Sequence, residues 1–346
     1  MHRRRFISSI LILILIISIT TACSNNEDLG SNTDNEKQVN DEQVETKEEV
    51  KEENEYGIDI KEDSVTFIDG RDKEVTISKH PERVVVLFNS YLEVWCKSGG
   101  TVVGRLQEAP EKVIEEAKDA EEVGKQGAIN VEKVLSLEPD LIILNSNQNH
   151  QLELVPIFEE NNIPVIALNY FVKDDYFKMV RLFTAINDRE DLYEEYGIKV
   201  REDIENIIEK SPKDRNYKVL VMMASAKSIT VRGSDSTVGE MLKDLHTTNI
   251  SDSIATGPDP IDFSMEKVLE EDPDFIFVQI TGSDKEKVLE RLKKDVEDNP
   301  AWSSLTAVKE DRYIFLPKEL YMYKPNHRYA EAYEGLAKIL YPDVFK

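Results

Sequence analysis

From residue 57 onward the chain alternates short, nearly continuous apolar runs with longer amphipathic stretches, which predicts an α/β fold. Residues 84–87, 141–144, 165–168, 219–222, 275–278 and 313–316 read as strands. Unbroken apolar character marks strands buried on both faces, so central, mainly parallel sheets flanked by helices are expected. Between 187 and 211 the period changes. Leu192, Tyr196, Val200, Ile204 and Ile208 recur every four residues among charged side chains, predicting one long amphipathic helix that ends at Ser211-Pro212. At 1.5 Å per residue it would span about 34 Å.

The chain also repeats itself. Residues 130–143 align with 264–277 at an offset of 134, with identities at Glu132/Glu266, Lys133/Lys267, Val134/Val268, Leu135/Leu269, Pro139/Pro273, Asp140/Asp274 and Ile142/Ile276. The same offset carries the strand at Val84 onto the one beginning at Lys218. A single long repeat implies two related lobes, not a solenoid. Each copy opens with a helix-capping residue, Asn130 or Ser264, and Pro-Asp then turns the chain into a strand. The expected lobes are 57–186 and 212–346, joined by the helix 187–211.

The first 56 residues follow different rules. Arg3, Arg4 and Arg5 precede an apolar run at 6–19, too short for the roughly 20 residues of a spanning helix, and small residues lead to Cys23. Residues 1–22 therefore read as a secretion signal, with an uncleaved anchor or an ordinary signal as the plainer alternatives. Residues 24–56 hold 12 acidic side chains against three lysines and almost no large apolar group. Such a segment cannot bury enough surface to offset ordering entropy, so 23–56 is expected to be a disordered, self-repelling tether or a solubilising tail.

Composition excludes several classes of function. With 68 acidic and 43 basic side chains the formal charge is −25, which argues against nucleic-acid binding. Two cysteines, Cys23 and Cys96, supply neither a disulfide framework nor a thiolate cluster, and Cys96 reads as a buried apolar residue. There is no Gly-x-Ser-x-Gly, His-Glu-x-x-His, Walker-type or Gly-x-Gly-x-x-Gly sequence, so catalysis has no visible carrier and an enzyme is not expected. An adhesive or structural surface lipoprotein is an alternative of another class.

Taken together, the signal, Thr21-Ala22-Cys23, the acidic segment, the duplicated Val131–Ile143 and Met265–Phe277 words and the Pro81-Glu-Arg-Val-Val-Val86 opening resemble the substrate-binding lipoproteins of ABC importers. The resemblance covers residues 60–346 and is to the ferric siderophore, haem and cobalamin branch. It implies a lipidated Cys23, an anchor on the outer face of the cell membrane, a monomer with its ligand between two lobes, and no intrinsic cofactor. It also implies that Glu132 and Glu266 dock onto a permease dimer, a role that pseudo-symmetric exposed carboxylates suit. A favourable charge in the first turn of each helix is the plainer account of both.

Crevices in α/β folds lie at the carboxyl ends of strands, which directs attention to the segments that follow them. In the first lobe these are 89–91, Arg105, 145–147 and 169–171; in the second, Met223, Lys227, Arg232 and 321–329. Aromatic surface and arginine forks suit an anionic, partly planar chelate. The selected ligand-binding residues are Tyr91, Tyr170, Arg232, Tyr321, Tyr323 and Arg328. Scattered histidines do not suggest a bare-metal site. Haem stays open through an axial ligand such as His327, Tyr91 or a methionine, and cobalamin through the aromatic walls.

Overall fold

The structure, a computed structural model, describes residues 55–110, 112–253, 261–282 and 284–346. The signal, Cys23 and nearly all of the acidic segment lie outside the described residues. No helix among those described is long and apolar enough to cross a membrane.

The body begins with an antiparallel meander, β1 (Asp59–Ile60), β2 (Ser64–Ile68) and β3 (Glu74–Ser78). Here the apolar residues alternate: Val65, Phe67 and Ile77 are buried while their neighbours face outward. The first-lobe sheet follows, from β4 (Val84–Val86), β5 (Gly104–Arg105) and β6 (Glu121–Glu122), through the hairpin β7 (Gly124–Lys125) and β8 (Ala128–Ile129), to β9 (Leu141–Asn145) and β10 (Val165–Leu168). Its order is β10-β9-β4-β5-β6 and every pairing is parallel. The second lobe contributes β11 (Lys218–Ala224), β12 (Ile229–Arg232), β13 (Thr248–Asn249), β14 (Ile261–Asp262), β15 (Phe275–Ile280) and β16 (Tyr313–Phe315). These form the order β14-β12-β11-β15-β16, with β13 also on β11 and β12 antiparallel to both its neighbours.

The repeat is visible in detail. Asn130 Oδ1 accepts the Lys133 N–H at 3.0 Å and Ser264 Oγ the Lys267 N–H at 3.5 Å, so each copy starts with a side-chain cap. Both helices end in a left-handed residue, Glu138 (φ 47°) and Asp272 (φ 45°). The Pro-Asp aspartates then tie each helix to the preceding strand. Asp140 accepts the Glu82 and Arg83 N–H groups at 2.8 and 2.9 Å, and Asp274 that of Lys218 at 2.8 Å. Arg83 and Lys218 donate back to the carbonyls that end the two helices, those of Leu137 and Glu271. Because β4 meets β9 as Val84↔Leu141 and β11 meets β15 as Val219↔Phe275, the opening strands correspond at an offset of 135, one residue more than expected.

Residues 187–211 contain a helical run over Glu190–Lys210, interrupted by a π-turn at Glu194–Ile198. It begins later than expected because the preceding helix, Lys173–Ile186, is closed by Asn187, whose side chain donates to Phe183 O, and by Asp188 at φ 53°. The inward face at the start is Tyr193 and Gly197, not Leu192 and Tyr196. A spacing of four drifts around a 3.6-residue helix, and the π-turn absorbs that drift before Val200 and Ile204 take over the buried face. Gly197 lies against the Tyr193 ring, which a Cβ would meet at 2.6 Å.

The run packs on the C-terminal helix Tyr329–Leu340. One continuous apolar core extends from Val84 and Leu141 through the helices to Val219 and Phe277, so the two lobes share buried surface and do not merely touch. The ordered body starts before residue 57. Glu55 accepts a hydrogen bond from Tyr193 OH, and Arg201 donates to Glu55 Oε1 and to Tyr56 OH at 2.9 and 2.5 Å.

Candidate functional site

A cavity of about 270 Å³ opens at the carboxyl ends of β10, β11 and β15, near the lower end of the roughly 300–1,000 Å³ usual for ligand pockets. From the second lobe come Met223 at the end of β11, Arg232 at the end of β12 and Gln279 near the end of β15, with 235–238 and 321–324 as walls. The first lobe supplies Tyr170 and Phe171, immediately after β10. Asn169, between them and the strand, turns to a separate cavity of about 300 Å³ that also meets Asp69, Asp72 and Asp175.

Of the six residues selected from sequence, the structure brings Tyr170, Arg232, Tyr321 and Tyr323 to this cavity. Two are elsewhere. Tyr91 is wholly buried, its hydroxyl donating to Leu168 O at 2.9 Å, because the helix Asn89–Lys97 packs that side into the core. Arg328 forms a two-pronged pair with Glu331, three residues on, at 2.7 Å for both contacts. His327 is not at the cavity either. Its Nδ1 lies 3.6 Å from Glu93 and its ring stands edge-on to Tyr196, and burial lowers its pKa. No group of three or more potential metal ligands occurs among the described residues.

The cavity residues are held by their neighbours. Tyr321 directs its hydroxyl to Ala332 O at 2.9 Å, and Gln279 Nε2 donates to the Tyr321 carbonyl. Arg232 places Nη2 3.4 Å from Met223 Sδ. Tyr170 is buried in a stack with Tyr91 and Tyr176, and burial pushes its phenol well above the usual range. Tyr323 lies beneath two lysines, Lys112 and Lys318, at 5.7 and 5.1 Å from its ring centre.

Lys324 was inside the expected segment but not selected, and it is one of the groups that connect the lobes. Its Nζ donates to Phe171 O at 2.8 Å and to Thr237 Oγ1 at 2.7 Å, and stands 4.4 Å above the Tyr170 ring. Desolvation lowers its pKa to about 8. Thr237 itself donates to Phe171 O at 2.9 Å. Beside this contact Lys173, at the start of the long first-lobe helix, pairs with Glu240 and Asp244 on the second-lobe helix Thr237–Asp244, at 3.2 and 2.7 Å. Gln279 was also missed, although a lone amide at the end of an otherwise apolar strand was a usable signal.

Glu132 and Glu266 occupy matching places in the first turns of their helices. Both are exposed, and neither forms an ion pair or side-chain hydrogen bond with another described residue. They lie at the opposite end of the strands' preceding helices from the Pro-Asp turns.

The sequence matches the family described as "Periplasmic binding protein" over residues 84–320. It is 28% identical over 289 residues to an uncharacterized ABC transporter substrate-binding lipoprotein, YvrC, of Bacillus subtilis, covering 82% of this chain and 87% of that protein. It is 28% identical over 242 residues to the Fe(3+)-citrate-binding protein YfmC of the same organism, covering 68% and 73%. Staphylococcus aureus SirA, solved with staphyloferrin B, shares the fold with a TM-score of 0.66 at 19% identity, over 80% of this chain and 98% of that one. With its two pseudo-symmetric lobes and a cavity at their strand ends, the chain belongs to the periplasmic binding protein family, among the substrate-binding proteins of ABC transporters and not among enzymes.

Proposed function

We propose that this chain is an extracytoplasmic lipoprotein that captures an anionic ferric chelate, a siderophore foremost, in the cavity between its lobes and hands it to an ABC permease dimer. The observation that carries the reading is the charge of the cavity: among the described residues, Arg232, Lys324 and the carboxylate of Asp235 line it, inside a protein of net charge −25. Lys324 meets only the neutral Phe171 carbonyl and Thr237 hydroxyl, so its ammonium loses solvation that a ligand anion would restore. The aromatic surfaces of Tyr170, Phe171, Tyr321 and Tyr323 suit the organic shell of a chelate. Haem is the weaker reading, because two of the expected axial ligands, His327 and Tyr91, lie away from the cavity, which leaves methionine, with Met223 and Met322 on its wall. Cobalamin would have to be held by the aromatic walls alone.

Lipidation of Cys23 would anchor the monomer, and the acidic segment would hold its body off an anionic membrane. Glu132 and Glu266 would present one carboxylate per lobe to the permease, which releases the ligand by parting the lobes. Calorimetric titration of the full chain in detergent with ferric siderophores, haem and cobalamin tests the ligand. Saturable binding of an anionic ferric chelate is expected; binding of haem alone, with a shifted Soret band, would overturn the assignment. The double variant Glu132→Ala/Glu266→Ala should bind the chelate as the wild type does yet fail to support its uptake, and unimpaired uptake would overturn the docking role.

A further inference from the structure

Lys324 is an ammonium in an unusual setting. Its hydrogen-bond acceptors, the Phe171 carbonyl and the Thr237 hydroxyl, are both neutral, and its third neighbour is the face of Tyr170. The carboxylates whose fields reach it are already engaged. Asp175 accepts the Phe171 and Val172 N–H groups at 2.7 and 3.1 Å, and Glu240 accepts the Lys173 N–H at 2.9 Å while pairing with its ammonium. No carboxylate among the described residues forms an ion pair with Lys324, whereas the neighbouring Lys112, which donates to the Lys324 carbonyl, is paired with Glu93. Among the described residues, the other charges at the cavity are Arg232 and Asp235.

Its position is equally specific. Phe171 belongs to the first lobe, Thr237 and Lys324 to the second, and all three line the cavity, so the ammonium stands where the lobes meet and the ligand would lie. Closing this geometry strips water from a charge and returns only neutral partners. An anionic oxygen in the cavity would supply what is missing.

We propose that Lys324 makes closure of the lobes depend on ligand charge: the site takes a chelate that presents an anionic oxygen to Nζ, and that contact offsets the desolvation which otherwise opposes closure. The inference rests on the chelate-binding reading and goes beyond it by assigning the residue that tells charged from uncharged chelates. Arg232 adds to the attraction from the second lobe, where its Nη2 lies on Met223 Sδ. Lys324 therefore acts on closure and selectivity together.

The test compares wild-type full chain with Lys324→Met, which keeps the aliphatic stem and removes the charge. The probes are ferric citrate, an anionic ferric tris-catecholate and an uncharged ferric trihydroxamate, titrated calorimetrically at pH 7, with melting curves to verify that the variant is folded. Loss of a charge-assisted contact predicts roughly 10- to 100-fold weaker binding of an anionic chelate and less than about threefold change for the uncharged one. Small-angle scattering supplies the second readout: the anionic chelate should compact the wild type and not the variant. Equal losses for charged and uncharged probes, or unchanged binding of an anionic chelate by Lys324→Met, would overturn the proposal while leaving the chelate-binding reading intact. If the wild type binds none of the three, the functional reading itself fails and this inference falls with it.

Discussion

Lys324 also sets a pH dependence of stability that can be worked through before any ligand is known. In the unfolded chain its amine titrates near 10.5, while in the folded protein desolvation brings it to about 8. Below pH 8 both states carry the proton, and the folded state bears the full cost of the buried charge, about 3 kcal/mol for this difference in pKa. Between pH 8 and 10.5 the folded state has released the proton and the unfolded state has not, so stability rises with pH by up to about 1.4 kcal/mol per unit. Above 10.5 the cost is gone. The perturbation is Lys324→Met, and the assay is urea unfolding of both proteins at pH 7, 8, 9 and 10. Asp175, Glu240, Lys173, Lys112, Arg232 and Asp235 are common to both, so their contributions largely cancel in the difference, and burial keeps the Tyr170 and Tyr329 phenols protonated throughout. Wild-type stability relative to the variant should increase by about 2 kcal/mol from pH 8 to 10. A difference that stays flat over that range would refute the reasoning, since it would mean that the ammonium is no worse solvated in the fold than in water.

Three further outcomes test other parts of the structure. Asp140→Ala and Asp274→Ala each strip a cap from the start of an inner strand and should lower unfolding free energy by about 1 kcal/mol, additively because the sites lie in different lobes; denaturant midpoints measure it, and a silent Asp274 would show that the repeat's aspartates do not act alike. Tyr91→Phe removes one of the two hydrogen bonds that Leu168 O accepts, the other coming from the Ser146 N–H at 2.8 Å, and should cost about 1 kcal/mol in the same assay with no change in chelate affinity; weakened binding at undiminished stability would return Tyr91 to the site. Arg232→Met should weaken an anionic chelate in calorimetry, whereas Arg328→Met, which loses only a surface pair with Glu331, should not.

The α/β class was legible because buried parallel strands write themselves as unbroken apolar runs, and every such run became a strand: β4, β9, β10, β11, β15 and β16. The meander β1–β3 was overlooked for the complementary reason. Val65, Phe67 and Ile77 alternate with outward residues, and a search for continuous runs passes over a half-buried strand. Strand ends were a sound guide to the cavity, yet they could not say which side of a strand end a side chain takes. Tyr91 and Tyr170 come from comparable positions, and helix rotation sends Tyr91 wholly inside while Tyr170 reaches the cavity wall. Arg328 is drawn off by Glu331 on the next turn, a competition that was readable as an i,i+3 pair. Lys324 lay within the segment 321–329 but was not selected, and only the tertiary approach of Phe171, 153 residues away, gives it its role.

The duplication is kept at one end of the molecule and lost at the other. At the helix starts the lobes agree residue by residue, from the caps Asn130 and Ser264 through the exposed Glu132 and Glu266 to the strand-capping Asp140 and Asp274. Past the strands they diverge. Asn145 and Gln279 are equivalent by the offset of 134 and equally buried, but Asn145 turns its oxygen onto its own loop at Asn147, whereas Gln279 reaches across to Tyr321 and lines the cavity. On the proposed function, each end has the symmetry its task would require. A docking surface that meets a two-fold partner gains from two like carboxylates, while a chelate with no two-fold axis of its own is better held by unlike walls: one lobe giving the aromatic residues Tyr170 and Phe171, the other the cations. Lys324 would stand where those two demands meet, since from the second lobe its ammonium reaches Phe171 of the first at the cavity, and this is why its charge is proposed to bear on whether the lobes close.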